Sequence, residues 1–389
     1  MPASYWKLSS FYFFYFASIG AFMPYWGLYL KNEGFTPGQI GELMAIILAT
    51  KIVAPNVWGW IADRTGQRMQ VIRLAALMAL IIFSGLLFFS GYWWIAAIMA
   101  GFSFFWNAAL PQFEATTMNH LGARTDAYSR IRLWGSVGFI ISVACLGIIF
   151  ERIDVSWLPW MVLVLLSLLW ISTLRVSDAP RTPTPSNGHS LWMTVRQPAV
   201  LLLLLSCFFM QASHGPYYAF FTLFLEENGY SRTVAGYLWA MAVVAEVLVF
   251  LLMHRLLPRF GAWPLLIFAM AITALRWLLL AFQVELFGLL VMTQLMHAAS
   301  YGVYHAAAIS LIHQFFTGTQ QGRGQALYSS MSFGLGGALG ALASGYIWSG
   351  IGPMWVYVMA SGLAMLAVFA AVSGMRAQFR FRSLPSARP

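Results

Sequence analysis

The sequence predicts an all-α membrane protein: twelve transmembrane helices in two pseudo-symmetric six-helix bundles, with both termini cytoplasmic. Three observations lead there. Charged residues are 9% of the 389-residue chain and hydrophobic ones 60%, with a mean hydropathy of +0.73, whereas a soluble domain carries about 25% charge. A surface with so few charges has to face lipid. The apolar residues fall into runs of roughly the 20 residues that cross a bilayer, and the first half of the chain recurs in the second.

Measured against that length, the runs lie near 8–30, 38–61, 70–90, 93–119, 131–150 and 156–174, then near 199–225, 233–256, 263–283, 286–316, 322–349 and 353–374. The first is too long for a secretory leader and lacks a small-residue cleavage pattern, so it reads as a retained helix. The one long polar stretch, 175–198, contains a Pro/Thr/Ser run at 180–186 and reads as a cytoplasmic linker. The expected division is a first bundle at 1–174, the linker, a second bundle at 199–376 and a cytoplasmic tail at 377–389.

Orientation follows from the arginines. One set of loops holds Arg64, Arg68 and Arg73, then Arg124 and Arg130, Arg175, Arg181 and Arg196, Arg255 and Arg259, Arg323, and the tail. The alternate loops mix Lys31, Arg152 and Arg232 with acidic residues. The arginine-rich set is expected on the cytoplasmic side. The net charge of +10 is spread over these loops rather than gathered into a patch, which argues against nucleic acid as a partner. Cys145 and Cys207 both lie in apolar runs and suggest neither a disulfide nor a metal framework.

The repeat is ungapped over the first hairpin of each half. A shift of 195 residues brings Ser18 onto Ser213, Gly20 onto Gly215, Gly34 onto Gly229, Gly41 onto Gly236, Arg64 onto Arg259 and Gly66 onto Gly261. Two parallel halves with a ligand site between them form a known transporter plan.

Between the second and third runs stands Gly59-Trp-Ile-Ala-Asp63-Arg64-Thr-Gly66-Gln-Arg68. The glycines permit a tight turn and close helix approach, and Asp63 can pair with neighbouring cations. This loop resembles the G-x-x-x-D-R-x-G-R signature of the major facilitator superfamily. The resemblance implies a role for Gly59, Asp63, Arg64, Gly66 and Arg68 in conformational switching rather than in substrate choice.

Inside the apolar runs lie Lys51, Glu114, Arg132, Glu246 and Arg276, with His214, His297 and His305. A charge at mid-bilayer costs at least ~2.5–3.5 kcal/mol and usually faces a cavity or a partner. Glu114 and Arg132 are equidistant from Ala123 in an antiparallel hairpin, so they share a depth and can pair. The same symmetry about the turn near Glu285 relates Arg276 to His297. Lys51 and Glu246 are repeat equivalents of opposite charge. Each pair also has a plain reading as a staple between helices. With neutral histidines the set carries one net positive charge, which suits a monoanion, and a Glu or His in it can carry a proton. The aromatic clusters at 11–16 and 217–221 are expected to face mostly lipid, and the glycines of 334–345 to be close-packing sites.

Arg130-Ile-Arg132-Leu-Trp-Gly135-Ser-Val-Gly138, Gly236-Tyr-Leu-Trp, Val-Val-Ala-Glu246-Val and the pair His297 and His305 make the chain similar to the lactose permease and nucleoside symporter branch, most of all to its phenylpropionate permease members. The likeness covers nearly the whole chain. It implies substrate contacts by Glu114 and Arg132, with Lys51, Phe139 and His214 as further candidates, and proton coupling by Glu246, Arg276, His297 and His305. Phe139 stands where lactose permease has a sugar-stacking Trp, and Ser300 stands where an acidic partner of the histidine is expected. The implied activity is proton-coupled uptake of a small organic anion, an aromatic monocarboxylate such as 3-phenylpropionate or cinnamate. A sugar or nucleoside symporter, an exporter and a transporter-like nutrient sensor are the alternatives. The expected setting is the bacterial cytoplasmic membrane, as a lipid-embedded monomer using a proton gradient and no other cofactor or metal.

Overall fold

The computed structural model describes residues 4–122, 124, 127–178 and 191–383, and these contain helices and turns but no strand. The centre of the expected linker with Arg181, the turn residue Ala123 and the end of the tail lie outside the described residues. In chain order the long helical runs are α1 (Tyr5–Asn32), α2 (Pro37–Thr65), α3 (Arg68–Leu87), α4 (Tyr92–Leu121), α5 (Tyr128–Phe150), α6 (Val155–Leu174), α7 (Pro198–Glu227), α8 (Arg232–Phe260), α9 (Ala262–Gln283), α10 (287–315), α11 (Gln321–Ile351) and α12 (Pro353–Ser383). Ten of them are long and apolar enough to cross a membrane; α1 and α10 complete the set of long runs. The composition of α1 is diluted by Ser, Tyr and Gly, and α10 is interrupted by a π-helical segment at Ala298–Val303.

The internal repeat extends to the caps. Thr36 starts α2 by accepting from the Gln39 amide, while Gln39 Oε1 accepts from the Thr36 amide at 3.0 Å. Ser231, its repeat equivalent, caps α8 by accepting from the Val234 amide at 3.2 Å. Side-chain oxygens at these positions satisfy amides that have no carbonyl one turn earlier. Gly34 and Gly229 turn with φ of 85° and 80°, and Gly66 and Gly261 end α2 and α8 with φ of 74° and 80°. Glycine alone enters positive φ freely, so the matched glycines all sit at chain reversals or helix ends, although ψ is 0° at Gly66 and 158° at Gly261 and the chain leaves the two helices differently.

Within the first half, α1 packs on α5 and α6, and α3 on α4 and α6; within the second, α7 packs on α11 and α12, and α9 on α10 and α12. Across the halves, α1 meets α7, α2 meets α11 and α5 meets α8. These crossings are close because they are made at glycine: a Cβ on Gly41 would lie 2.7 Å from the Ala341 carbonyl oxygen, and one on Gly236 2.7 Å from that of Val143. The glycines of α11 behave as expected, Gly340 lying against the Ala212 backbone and Gly345 against that of Pro37.

The expectation that the aromatic clusters face lipid is corrected. Phe11, Tyr12, Tyr15, Tyr217, Phe220 and Phe221 are all 4% exposed or less. The reason is position: α1 and α7 are packed by their own halves and by each other, so they have little outer face left. The exposed aromatics instead include Trp60, Trp93, Trp94, Trp157 and Trp192, all near helix ends, where an amphipathic ring belongs at a membrane interface.

One end of the molecule is tied across the halves. Lys31 pairs with Glu227 at 3.4 Å, Arg232 donates to the Phe150 carbonyl at 3.1 Å, and the Thr233 amide donates to Glu151. At the same end Glu42 accepts from Tyr92 in its own half and from Tyr346 in the other.

Candidate functional site

Two clusters of ionisable residues face the seam between the halves, one built from α1, α4 and α5, the other from α8, α9 and α10. The first is centred on Arg132. Its guanidinium lies over the Phe16 ring at 3.9 Å and reaches Glu114 Oε1 only at 3.9 Å from Nε. Glu114 accepts from the Tyr128 hydroxyl at 3.3 Å, and Tyr12, 5.8 Å below Arg132, donates to Thr117 at 3.2 Å. Gly135 makes the stack possible: a Cβ there would lie 2.7 Å from the Phe16 ring and 2.8 Å from the guanidinium. Gly138, one turn on, brings α5 against the Phe13 backbone. Both side chains of the pair remain about a third exposed, at 32% and 36%, and at 3.9 Å the carboxylate engages the cation only loosely.

The second cluster is closed. Arg276 is fully buried and lies between the rings of Tyr217 and Trp277, 4.5 Å from each centroid. Its Nε donates to the Thr293 carbonyl at 2.7 Å, and its terminal nitrogens donate to Ser300 Oγ at 2.9 Å, His297 Nδ1 at 3.1 Å and Gln294 Oε1 at 3.4 Å. Gln294 is fixed in turn by the Tyr217 hydroxyl, which donates to it at 3.0 Å. A guanidinium can only donate, so His297 Nδ1 presents its lone pair and the ring hydrogen is on Nε2. That nitrogen faces Glu246 Oε2 at 3.6 Å, ion-pair distance across α8 and α10. Glu246 is 19% exposed and is the part of this cluster open to the seam. The helices that carry Arg132 and Glu246, α5 and α8, pack on one another across the seam.

The remaining sequence candidates are placed as follows. Glu246 meets His297 and not Lys51. Lys51 is half-buried beside an internal polar trio in which Asn107 donates to Thr50 Oγ1 and Thr50 to Ser103, each at 2.9 Å. Phe139 is 8% exposed and packs toward Trp239 at 6.4 Å. His214 is fully buried inside the second half, Nδ1 on the Met210 carbonyl at 2.9 Å and its ring 5.1 Å from Trp277. Both side chains are buried. His305 is half-buried and stacks on Tyr301. In the signature loop Asp63 and Arg68 pair at 2.8 Å, Gly66 terminates α2, Gly59 packs on Gln112 and Arg64 lies over Trp60.

A family model described as "MFS_1 like family" matches residues 5–359. The chain belongs to that family. This MFS-type protein is 30% identical over 367 residues to the "Probable 3-phenylpropionic acid transporter" of Escherichia coli (strain K12), covering 91% of this chain and 94% of the relative. It is 28% identical to the "Maltose permease" of Geobacillus stearothermophilus, over 87% and 86% of the two chains. In fold it is similar to the crystal structure of a point mutant of the nucleoside transporter NupG, with a TM-score of 0.84 at 16% identity over 95% of this chain and 99% of that one. It is thus a multi-pass membrane transporter of the MFS type, acting on a small molecule, and not an enzyme.

Several residues of these clusters escaped sequence reasoning, and Ser300 stood out only as taking the place of an acid. Thr293, Gln294, Ser300 and Tyr301 complete the Arg276 and His297 surroundings. Their spacing three and four residues to either side of His297, in an otherwise apolar helix, is the signal that marks one polar face. Phe16 and Gly135, which shape the Arg132 stack, carry no such signal.

Proposed function

We propose that this MFS transporter takes up a small aromatic monocarboxylate, such as 3-phenylpropionate or cinnamate, together with a proton. The observation that carries the substrate class is the Arg132 guanidinium, laid flat on Phe16 at 3.9 Å with its carboxylate neighbour no closer than 3.9 Å. A planar fork with free donors receives a carboxylate in two parallel hydrogen bonds. The similarity to a probable 3-phenylpropionic acid transporter at 30% identity supports the same class.

Proton coupling is assigned to Glu246. Arg276 occupies Nδ1 of His297, so the imidazole has no place for a second proton while that bond holds, and the carboxylate facing Nε2 is the group left to take one. Protonated, Glu246 no longer competes with the substrate carboxylate for the positive field of Arg132. Released, its charge opposes substrate retention. Loading both together and losing both together is what symport requires.

In this reading all twelve long helices span the bacterial cytoplasmic membrane, in bundles at 1–174 and 199–376 joined by a cytoplasmic linker. Both termini are cytoplasmic, and the protein acts as a monomer. The end tied by Lys31, Glu227 and Arg232 is external, and the site is reached from inside.

The test is uptake of labelled 3-phenylpropionate, maltose and uridine into proteoliposomes, with and without an inward proton gradient. Accumulation of the aromatic acid that depends on the gradient is expected. Arg132→Ala should raise its KM by roughly 10–100-fold, the value of about 1.5–3 kcal/mol for a charge-assisted hydrogen bond. Uptake of maltose or uridine instead would favour the sugar or nucleoside reading, for which the Tyr128-bonded Glu114 is the natural hydroxyl partner. Gradient-independent uptake would remove the proton.

A further inference from the structure

The aromatic faces around Arg132 differ in what they have left to offer a ligand. Phe16 is covered by the guanidinium itself. Phe139 is buried, turned toward Trp239, and its backbone is pressed against Gly20. Tyr301 is half-buried on the opposite half, and the next residue, Gly302, lies against Val249 and Glu246 of α8.

The helix that carries Tyr301 is built to present its ring. His297, Tyr301 and His305 form a column whose successive rings are 5.4 and 5.9 Å apart and only 8° and 3° from parallel. A regular α-helix does not give this. Residues four apart drift by roughly 40° at 3.6 residues per turn, so eight residues drift by roughly 80°. The π segment Ala298–Val303 takes up an extra residue, which turns the helix back by roughly 100° and leaves the two ends of the column within roughly 20° of one another. The column is braced from α11 by Phe333, whose ring meets Tyr301 and His305 edge-on at 6.3 and 6.0 Å and sits in a second π segment, Ser330–Gly336. Gly302 seats α10 on α8: a Cβ there would lie 2.5 Å from Val249, and Glu246 is the next neighbour. The column therefore stands beside the carboxylate that faces the seam.

We propose that Tyr301 is the specificity-determining residue for the hydrocarbon part of the substrate, its ring stacking an aromatic ring whose carboxylate rests on Arg132. The inference rests on the carboxylate reading above and adds the residue that tells an aromatic acid from an aliphatic one.

The test compares 3-phenylpropionate with 3-cyclohexylpropionate, which has the same chain and carboxylate but no π face, in proteoliposomes of the full chain. The wild type should favour the aromatic acid in KM. Tyr301→Ala should lose that preference by roughly 2–10-fold, the size of one ring–ring contact, with the KM for the cyclohexyl acid little changed, and Tyr301→Phe should keep it. Should Tyr301→Ala fail to accumulate in the membrane, Tyr301→Leu, which keeps bulk without a ring face, carries the same comparison. A wild-type preference retained in Tyr301→Ala or Tyr301→Leu overturns the assignment and leaves the carboxylate reading intact. A wild type that transports neither acid overturns both.

Discussion

The two charge clusters use the same residue types and are built in opposite ways. Arg132 is a third exposed, stacks on one ring and has an acidic neighbour at the edge of pairing distance. Arg276 is fully buried, clamped between two rings and engaged by four partners on α10. A site that must exchange its ligand every cycle has to leave donors free. A site that sets the tautomer of a histidine has to hold still. In the proposed mechanism the difference separates the half that holds substrate from the half that handles the proton, and it can be broken at four places.

The largest effect is expected at Arg276. Arg276→Leu leaves the Thr293 carbonyl, Ser300, Gln294 and His297 Nδ1 without their donor in a dry interior, at about 1–3 kcal/mol for each orphaned group. Melting of the purified protein in detergent should shift down strongly, and transport should be lost. Arg276→Lys keeps the charge but not the planar fork that spans three partners, so it should recover stability only in part. If Arg276→Leu melts like the wild type, the cage does not hold the second half together.

Glu246→Gln comes next and separates the proton from the substrate. The amide keeps the shape beside His297 but cannot cycle a charge, so gradient-driven accumulation should fall by roughly 10²-fold, the lower scale on which removal of a proton-transfer group acts. Exchange of labelled for unlabelled substrate at equal pH should persist. Loss of exchange and accumulation together would make Glu246 a substrate contact rather than the coupling acid.

In the first half the sensitive position is a glycine. Gly135→Ala places a methyl group 2.7 Å from Phe16 and 2.8 Å from the guanidinium, and overpacking of this kind costs about 1–3 kcal/mol. The stack should tilt and the KM rise by roughly tenfold at most, with folding preserved, measured by substrate titration beside a melting curve. An unchanged KM would mean that the flat presentation of Arg132 is not what binds.

How much of this was legible in the sequence depends on the scale of the cause. Hydropathy and the repeat gave the helical plan, because lipid imposes the same demand on every span, and the matched Gly34/Gly229 and Gly66/Gly261 all take a positive φ. Glu114, Arg132, Glu246, Arg276 and His297 stood out because charge in an apolar run is rare. The inward aromatics of α1 and α7 did not. Their burial comes from packing against the other half, which no local window contains. The pairing of Glu246 with His297 was likewise hidden, since it joins α8 to α10, and repeat symmetry pointed to Lys51 instead. The two π segments leave no pattern beyond glycine and serine, yet they set the ring column.

The smallest structural effect, and the one that discriminates most between substrates, belongs to Glu114. Its contact with Arg132 is 3.9 Å long and a third exposed, the kind of pair worth about 0–1 kcal/mol. Glu114→Gln should therefore melt close to the wild type, in contrast to Arg276→Leu. Its effect on transport depends on what the guanidinium holds. For a carboxylate substrate, Glu114 is a competitor of like charge, and removing that charge should leave the KM for 3-phenylpropionate unchanged or lower. For a sugar or nucleoside, Glu114 is the acceptor of substrate hydroxyls, and its loss should weaken binding by the roughly 10–100-fold that follows from about 1.5–3 kcal/mol per charge-assisted hydrogen bond. A steep rise in the KM for the aromatic acid would mean that the pair acts as one unit. The first half would then be as closed in function as the second is in structure.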